Sequence, residues 1–205
     1  MSAEGHLLVR EYVDAALAFL AAHDLMRILP PVADAMQDPS RPVAAGGGWG
    51  DDWFPWKPIA STVTAADIAE LEAAIGARFP ALYVDFLCYR HFYELDAAAG
   101  VSFLMHDVKY WKAGLLHHYF YLPDPGTPTQ QGFVMFAYDP ELKSLCFDVN
   151  RPTPDGRDCA VVRVLDLYQD PAPTQLLYHS FFDLLVALRA AQRQRDTLSE
   201  QARAC

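Results

Sequence analysis

The chain has 205 residues, of which 26 are acidic and 16 basic, so its formal net charge is −10. This excess of negative charge disfavours binding to nucleic acid or to an anionic membrane, because phosphate contacts need lysine and arginine. It favours encounter with a basic protein. Acidic surfaces also keep proteins soluble, so charge by itself leaves both interpretations open.

Cysteine usage and the sequence termini bear on the compartment. The four cysteines include no C-x-x-C pair, which gives neither zinc spacing nor a disulfide framework. The first residues lack the basic segment of a secretory signal, and charges interrupt every apolar stretch before the roughly 18 residues that a membrane span needs. These features predict a reduced, soluble, cytoplasmic protein.

The N-terminal third contains a helix pattern followed by a connector. Apolar residues spaced three and four apart between residues 6 and 29 predict an amphipathic helix that Pro30-Pro31 ends. Residues 37–60 are rich in glycine and proline, which predicts a loop. Its tryptophans either fasten the connector to the core or form an exposed binding patch. They are Trp49, Trp53 and Trp56.

A helix–corner–helix follows the connector. Thr64 and Asp67 have the spacing of a capping box, which predicts that a helix begins there. Gly76 suits the left-handed position that ends this helix, and Pro80 suits the first turn of the next one.

The second half changes to strand patterns. Residues 101–105 predict a strand, residues 107–122 fit a helix or a strand, and residues 123–131 predict a loop. A hairpin, a further strand and a closing helix come next, predicted over residues 132–149, 159–167 and 177–195. The segregated order predicts an α+β fold: an antiparallel sheet of four to six strands with helices on one face.

Signals for chemistry are weak. No phosphate-binding, dinucleotide or G-x-S-x-G motif occurs, and no cofactor is expected. His117 and His118 are adjacent, and neighbouring side chains point in different directions, so they rarely share a metal ion. Cys88 and His91 have the spacing of a Cys–His pair on a helix, although core packing of Cys88 is the alternative that its apolar neighbours favour.

Several of these segments together resemble the SUKH superfamily, the Smi/Knr family. The segment Gly76-Ala-Arg-Phe79-Pro80 with Tyr83 and Phe86-Leu87 is similar to the family's front half, with phenylalanine where leucine is usual. Leu145-Cys146-Phe147-Asp148, the glycine turn before Val161-Val162, and Ser180-Phe181 to Leu184-Leu185 resemble its later motifs. The resemblance covers about residues 60–190.

The resemblance implies a non-catalytic binding protein with a SUKH-like fold. It predicts a SUKH-like domain over residues 60–190, preceded by a helical extension over 1–59 and followed by a tail over 191–205. Many bacterial members of the family are similar to immunity proteins that neutralise a cognate toxin. Fungal relatives are regulatory or scaffold proteins, which is the alternative, and a small hydrolase using Cys88 and His91 is a third.

An immunity protein would contact its toxin through acidic and aromatic residues, and the acidic balance fits a basic, nuclease-like toxin. The predicted partner-binding residues lie around the hairpin, in the connector and in the region of undecided structure. They are Asp139, Glu141, Asp148, Trp111, Trp53 and Trp56. For Asp148, a structural role as hydrogen-bond acceptor is the alternative.

Overall fold

The computed structural model describes residues 3–46, 52–95, 100–120, 127–166 and 168–204. Helices and strands alternate in the first half of the chain, and a run of strands fills most of the second half. In chain order the elements are α1 (Ala3–Ala22), β1 (Arg27–Ile28), a 3-10 turn (Asp34–Met36), β2 (Phe54–Pro55), β3 (Ile59–Ala60), α2 (Ala65–Ile75), α3 (Ala81–Leu87), β4 (Arg90–His91), β5 (Ser102–Phe103), α4 (Trp111–Phe120), α5 (Thr127–Gln130), β6 (Phe133–Tyr138), β7 (Ser144–Pro152), β8 (Cys159–Val164), β9 (Thr174–Tyr178) and α6 (Phe181–Ala204).

The main sheet has five antiparallel strands in the order β5-β6-β7-β8-β9. Its central strands are short, apolar and joined by tight connections, which is the pattern of a meander. Val134, Phe147 and Val161 lie side by side across β6, β7 and β8. The predicted α+β fold with an antiparallel sheet is confirmed.

Aromatic rings join the helices to the sheet. Phe136 and Phe147 stack with their centroids 4.3 Å apart. Tyr83 of α3 and Phe181 of α6 meet Phe147 edge-on at 4.9 and 5.4 Å. All four side chains are buried. Such edge-to-face contacts add to the free energy gained from burying the rings, so this cluster fixes both helices on the sheet.

Helix α1 is shorter than the predicted helix over residues 6–29. It ends at Ala22, because Asp24 adopts the left-handed conformation (φ 56°) and the Leu25 N–H donates back to the Leu20 carbonyl at 2.9 Å. The chain then continues into β1, where Ile28 pairs with Phe54 of β2. The body of α1 packs against α3 and α6.

The α2–α3 corner forms as predicted. Thr64 accepts from the Asp67 N–H at 3.2 Å, and the Asp67 carboxylate accepts from the Thr64 N–H at 3.0 Å. Gly76 ends α2 in the left-handed conformation with φ 68°. Pro80 precedes the first residue of α3.

The capping box makes a measurable contribution to stability. Replacing Thr64 with alanine removes the side-chain acceptor, and we expect the free energy of unfolding to fall by about 1 kcal/mol. Urea titration followed by circular dichroism measures this loss. Thr64→Ser keeps the hydroxyl and is the matched control, so a similar loss in both variants would contradict the capping role.

Other elements differ from their predictions. The undecided segment 107–122 contains helix α4. Part of the predicted loop 123–131 forms α5, Gln131 continues as a turn, and residues 123–126 lie outside the described residues. Strand β9 was not predicted, and α6 extends to Ala204 rather than residue 195. Both differences lie after the last predicted strand, where exposed residues obscure the apolar pattern.

Candidate functional site

Two of the predicted aromatic contacts are part of the core. Trp56 is fully buried and meets the Tyr93 ring edge-on at 5.8 Å, so it fastens the connector to the core. Trp111 is buried against His106, with 5.2 Å between the ring centroids. Because neither side chain reaches the surface, the prediction that they contact a partner is corrected.

Trp53 differs from Trp56. Its side chain is 40% exposed, while its backbone pairs with Ala44 through hydrogen bonds of 3.0 and 2.8 Å. Trp49 lies outside the described residues. Within its described residues, the connector therefore supplies one exposed tryptophan from a fixed backbone position.

Asp148 has the structural role that was its alternative. Its carboxylate is buried, pairs with Arg151 Nε at 2.6 Å and accepts from the Asn150 N–H at 3.1 Å. Carboxylates in buried positions need such partners to offset the loss of hydration. Asp148 therefore organises the end of β7, and its buried side chain is not part of the contact surface.

Asp139 organises the turn between β6 and β7. One carboxylate oxygen accepts from the N–H groups of Glu141 at 2.8 Å and Lys143 at 2.9 Å. The other lies 2.6 Å from Nε of Arg163 on β8. Asp139 is buried, so it supports the turn and does not itself form its outer surface.

The tip of this turn presents Glu141 and Leu142 to solvent, between exposed Pro140 and Lys143. Glu141 is exposed, and Leu142 is 79% exposed and adopts a positive φ of 59°. A left-handed conformation is unfavourable for leucine and natural for glycine. Leu142 is thus held in a costly conformation at a position where its side chain contributes nothing to the core, and such outliers concentrate at functional positions.

The connection between β8 and β9 lies next to this tip. Nζ of Lys143 is 3.5 Å from the Leu165 carbonyl, which places the two loops side by side. The connection exposes Leu165, Asp166, Asp170 and Tyr168, the last with 77% of its surface accessible.

We call the exposed acidic, leucine and tyrosine residues of these two loops the hairpin-end surface; exposed Lys143 lies beside it. Its apolar members are flanked by carboxylates, and the whole set lies at one end of the sheet. The members are Glu141, Leu142, Leu165, Asp166, Tyr168 and Asp170. Of these residues, the sequence predicted only Glu141 as a contact. The one further signal in the sequence was Leu142, an apolar residue within the turn segment 139–143.

The Cys88–His91 pair is not arranged for catalysis. Cys88 is exposed at the end of α3, which corrects the expectation that it packs in the core. Desolvation of the thiol and then the charge of Asp85 raise the pKa of Cys88, which disfavours a thiolate. His91 lies on β4 with Nδ1 3.0 Å from the His106 carbonyl and Nε2 2.9 Å from the Thr62 N–H. Both of its ring nitrogens are occupied.

His106 is a buried neutral base with a purely structural setting. Its Nε2–H donates to the Leu87 carbonyl at 2.8 Å, and its ring lies 4.7 Å from that of His91. Burial, followed by the neighbouring His91, lowers the pKa of His106 to about 3.

A pH dependence of stability follows from this setting. The unfolded chain protonates His106 near its ordinary pKa of 6.5, so stability is complete above that pH and falls as the pH drops towards 3. Between about pH 7.5 and pH 5 we expect a loss of about 2 kcal/mol in the free energy of unfolding. Urea titrations at both pH values measure it, and ¹⁵N shifts of a protonated His106 ring in the folded protein at pH 5 would contradict it.

A cavity and the distribution of metal-binding side chains among the described residues bear on whether chemistry could occur elsewhere. A cavity of 560 Å³ lies beside the β7–β8 turn, but its Asp158 is engaged with the N–H groups of Phe181 and Phe182 at 3.0 and 3.2 Å. Within the described part of the chain, no group of three His, Cys, Asp or Glu side chains could hold a metal ion. Among those residues, no helix is long and apolar enough to span a membrane.

Comparison with known proteins places the chain in a family. No curated protein matches it. The model of the SMI1/KNR4 family (SUKH-1) matches residues 62–187, from the residues before α2 into the first turns of α6. This span covers more than half of the 205 residues and lies within the predicted domain 60–190, whose exact limits stay a prediction. The chain therefore belongs to the SMI1/KNR4 family (SUKH-1).

Proposed function

We propose that this chain is an immunity protein that binds a cognate bacterial toxin in the cytoplasm and blocks it without catalysis. Family membership supports the general class. The observation that carries the proposal is the hairpin-end surface, where exposed Leu142 and Tyr168 lie among carboxylates on a turn fixed by Asp139.

Such a surface has the composition of a tight interface. Buried aromatic and aliphatic anchors supply most of the binding free energy, and a charged rim supplies specificity and fast encounter. A turn held by buried hydrogen bonds loses little conformational entropy on binding. The carboxylates of Glu141, Asp166 and Asp170 favour a basic surface on the toxin.

Inhibition by occlusion requires no reactive group in the inhibitor. The occupied ring nitrogens of His91 and the raised pKa of the Cys88 thiol agree with this. An active-site basic patch on the toxin would be covered directly by the acidic rim of the hairpin-end surface.

Replacing Leu142 with glycine separates binding from folding. Glycine relieves the left-handed strain, so the free energy of unfolding should stay within about 1 kcal/mol of the parent value or rise. Loss of an exposed interface anchor should weaken toxin binding by about 10-fold or more. Urea titration measures the effect on stability, and isothermal titration calorimetry measures the effect on toxin binding. Unchanged affinity would show that Leu142 does not contact the toxin.

Growth protection tests the proposal. The chain is co-expressed with the toxin encoded beside its gene, and a catalytically inactive toxin serves as the control for expression burden. We expect the chain to restore growth and to co-purify with the toxin. No protection and no co-purification would overturn the proposal, while capture of a housekeeping complex instead would favour a regulatory or scaffold protein.

A further inference from the structure

Strand β9 forms one edge of the main sheet. It pairs with β8 on one side, and no described strand lies on the other. The Leu165 N–H donates to the Pro173 carbonyl at 2.9 Å. This hydrogen bond determines which residues of β9 direct their backbone groups toward β8 and which direct them away. With this register, the backbone N–H and C=O groups of Thr174 and Leu176 point away from β8.

Among the described residues, strand β9 carries neither charge nor proline to prevent pairing at this edge. Proteins block edges with very short strands, charges or proline within the strand. The opposite edge, β5, has two residues, whereas β9 has five and reads Thr174-Gln-Leu-Leu-Tyr178, without charge or proline. A register shift near Leu177 disturbs only its second half. Leu176 is exposed beside the free groups.

The charges around this edge determine which kind of partner strand it would attract. The connection that leads into β9 carries exposed Asp166 and Asp170, and Glu141 lies on the adjacent turn with Lys143 as the nearby cation. A second copy of this chain would bring another net charge of −10 to the same place, and that repulsion disfavours self-pairing. A basic extended segment is attracted instead.

We propose that β9 receives an extended, lysine- or arginine-bearing segment of the toxin as a sixth strand of the sheet. Main-chain hydrogen bonds to Thr174 and Leu176 would supply affinity, and the acidic residues of the hairpin-end surface would select basic side chains. The inference deepens the proposed function, on which the identity of the partner as a toxin rests.

A peptide titration tests the edge without the toxin. The probe is a seven-residue peptide of alternating lysine and valine, added to ¹⁵N-labelled full-length chain. One control peptide has glutamate in place of lysine, and another carries an N-methyl group on every backbone nitrogen, so that neither of its edges can donate a main-chain hydrogen bond. We expect saturable shifts at the amides of residues 174–178, at least about 10-fold weaker binding of the glutamate peptide, and none of the N-methylated peptide.

Equal binding of the N-methylated peptide, or shifts that avoid residues 174–178, would overturn the inference. Leu176→Pro provides a second test, because it removes an outward N–H while Leu176→Ala removes only the side chain. The proline variant should bind the lysine peptide at least about 10-fold more weakly than the alanine variant. If the peptide binds but the chain does not restore growth, the toxin is not the partner and β9 is still a strand-binding edge. If the chain restores growth but the peptide does not bind, and hydrogen exchange at β9 is not slowed in the toxin complex, the proposed function stands and the inference about β9 is wrong.

Discussion

Reversing two charges at the hairpin-end surface should abolish growth protection. In the double variant Glu141→Lys/Asp166→Lys, two exposed carboxylates become cations that face a basic toxin. We expect affinity to fall by about 100-fold or more, because like charges across an interface cost several kcal/mol. Isothermal titration with inactive toxin measures the loss. The free energy of unfolding should change little, since both positions are exposed.

A matched control separates local from general electrostatics. Asp52→Lys/Asp196→Lys changes the net charge by the same amount at two other exposed positions, one of them beside Trp53. This variant should bind within a few-fold of the parent chain. If the control instead loses binding while the Glu141→Lys/Asp166→Lys variant keeps it, the contact lies near Asp52 or Asp196 and not at the hairpin-end surface.

Removal of Asp139 should give the largest loss of stability at the site. Asp139→Ala leaves Arg163 without its buried partner, at 2.6 Å in the parent, and leaves two turn N–H groups without their acceptor. Breaking a buried pair in this way costs about 3 kcal/mol. Urea unfolding measures the cost, and toxin binding should weaken as well because the tip loses its support.

Two further variants identify the cause. Asp139→Asn keeps a carbonyl oxygen for the turn hydrogen bonds and loses the charge, so its loss of stability should be smaller than that of the alanine variant. Asp139→Ala/Arg163→Leu removes both charges and should recover part of the lost stability. Equal unfolding free energies for Asp139→Ala and the parent chain would show that the ion pair has no net effect.

Local rules made the fold largely predictable. The capping box at Thr64 and the glycine stop at Gly76 depend on neighbours within a few residues, and both form as expected. Short apolar runs joined by a turn likewise indicated the strands that became β6 and β7, and a valine-rich alternation indicated β8. Leu25 and Leu29 misled the N-terminal helix prediction, because they continue its spacing although the chain has already turned at Asp24.

The candidate site was less predictable because its parts are distant in sequence. The role of Asp139 depends on Arg163, which the fold brings to it from β8. Tyr168 becomes part of the surface only because its loop lies beside the hairpin turn. Composition likewise could not distinguish buried Trp56 from exposed Trp53, since their difference arises from which one the core covers.

Calorimetric titration of the purified chain with the inactive toxin encoded beside its gene tests the central claim most directly. Our account predicts a one-to-one complex with a Kd in the nanomolar range or below, and a marked loss of affinity in the Glu141→Lys/Asp166→Lys variant. Absence of binding at micromolar concentrations, or a complex unaffected by both that variant and Leu142→Gly, would contradict it.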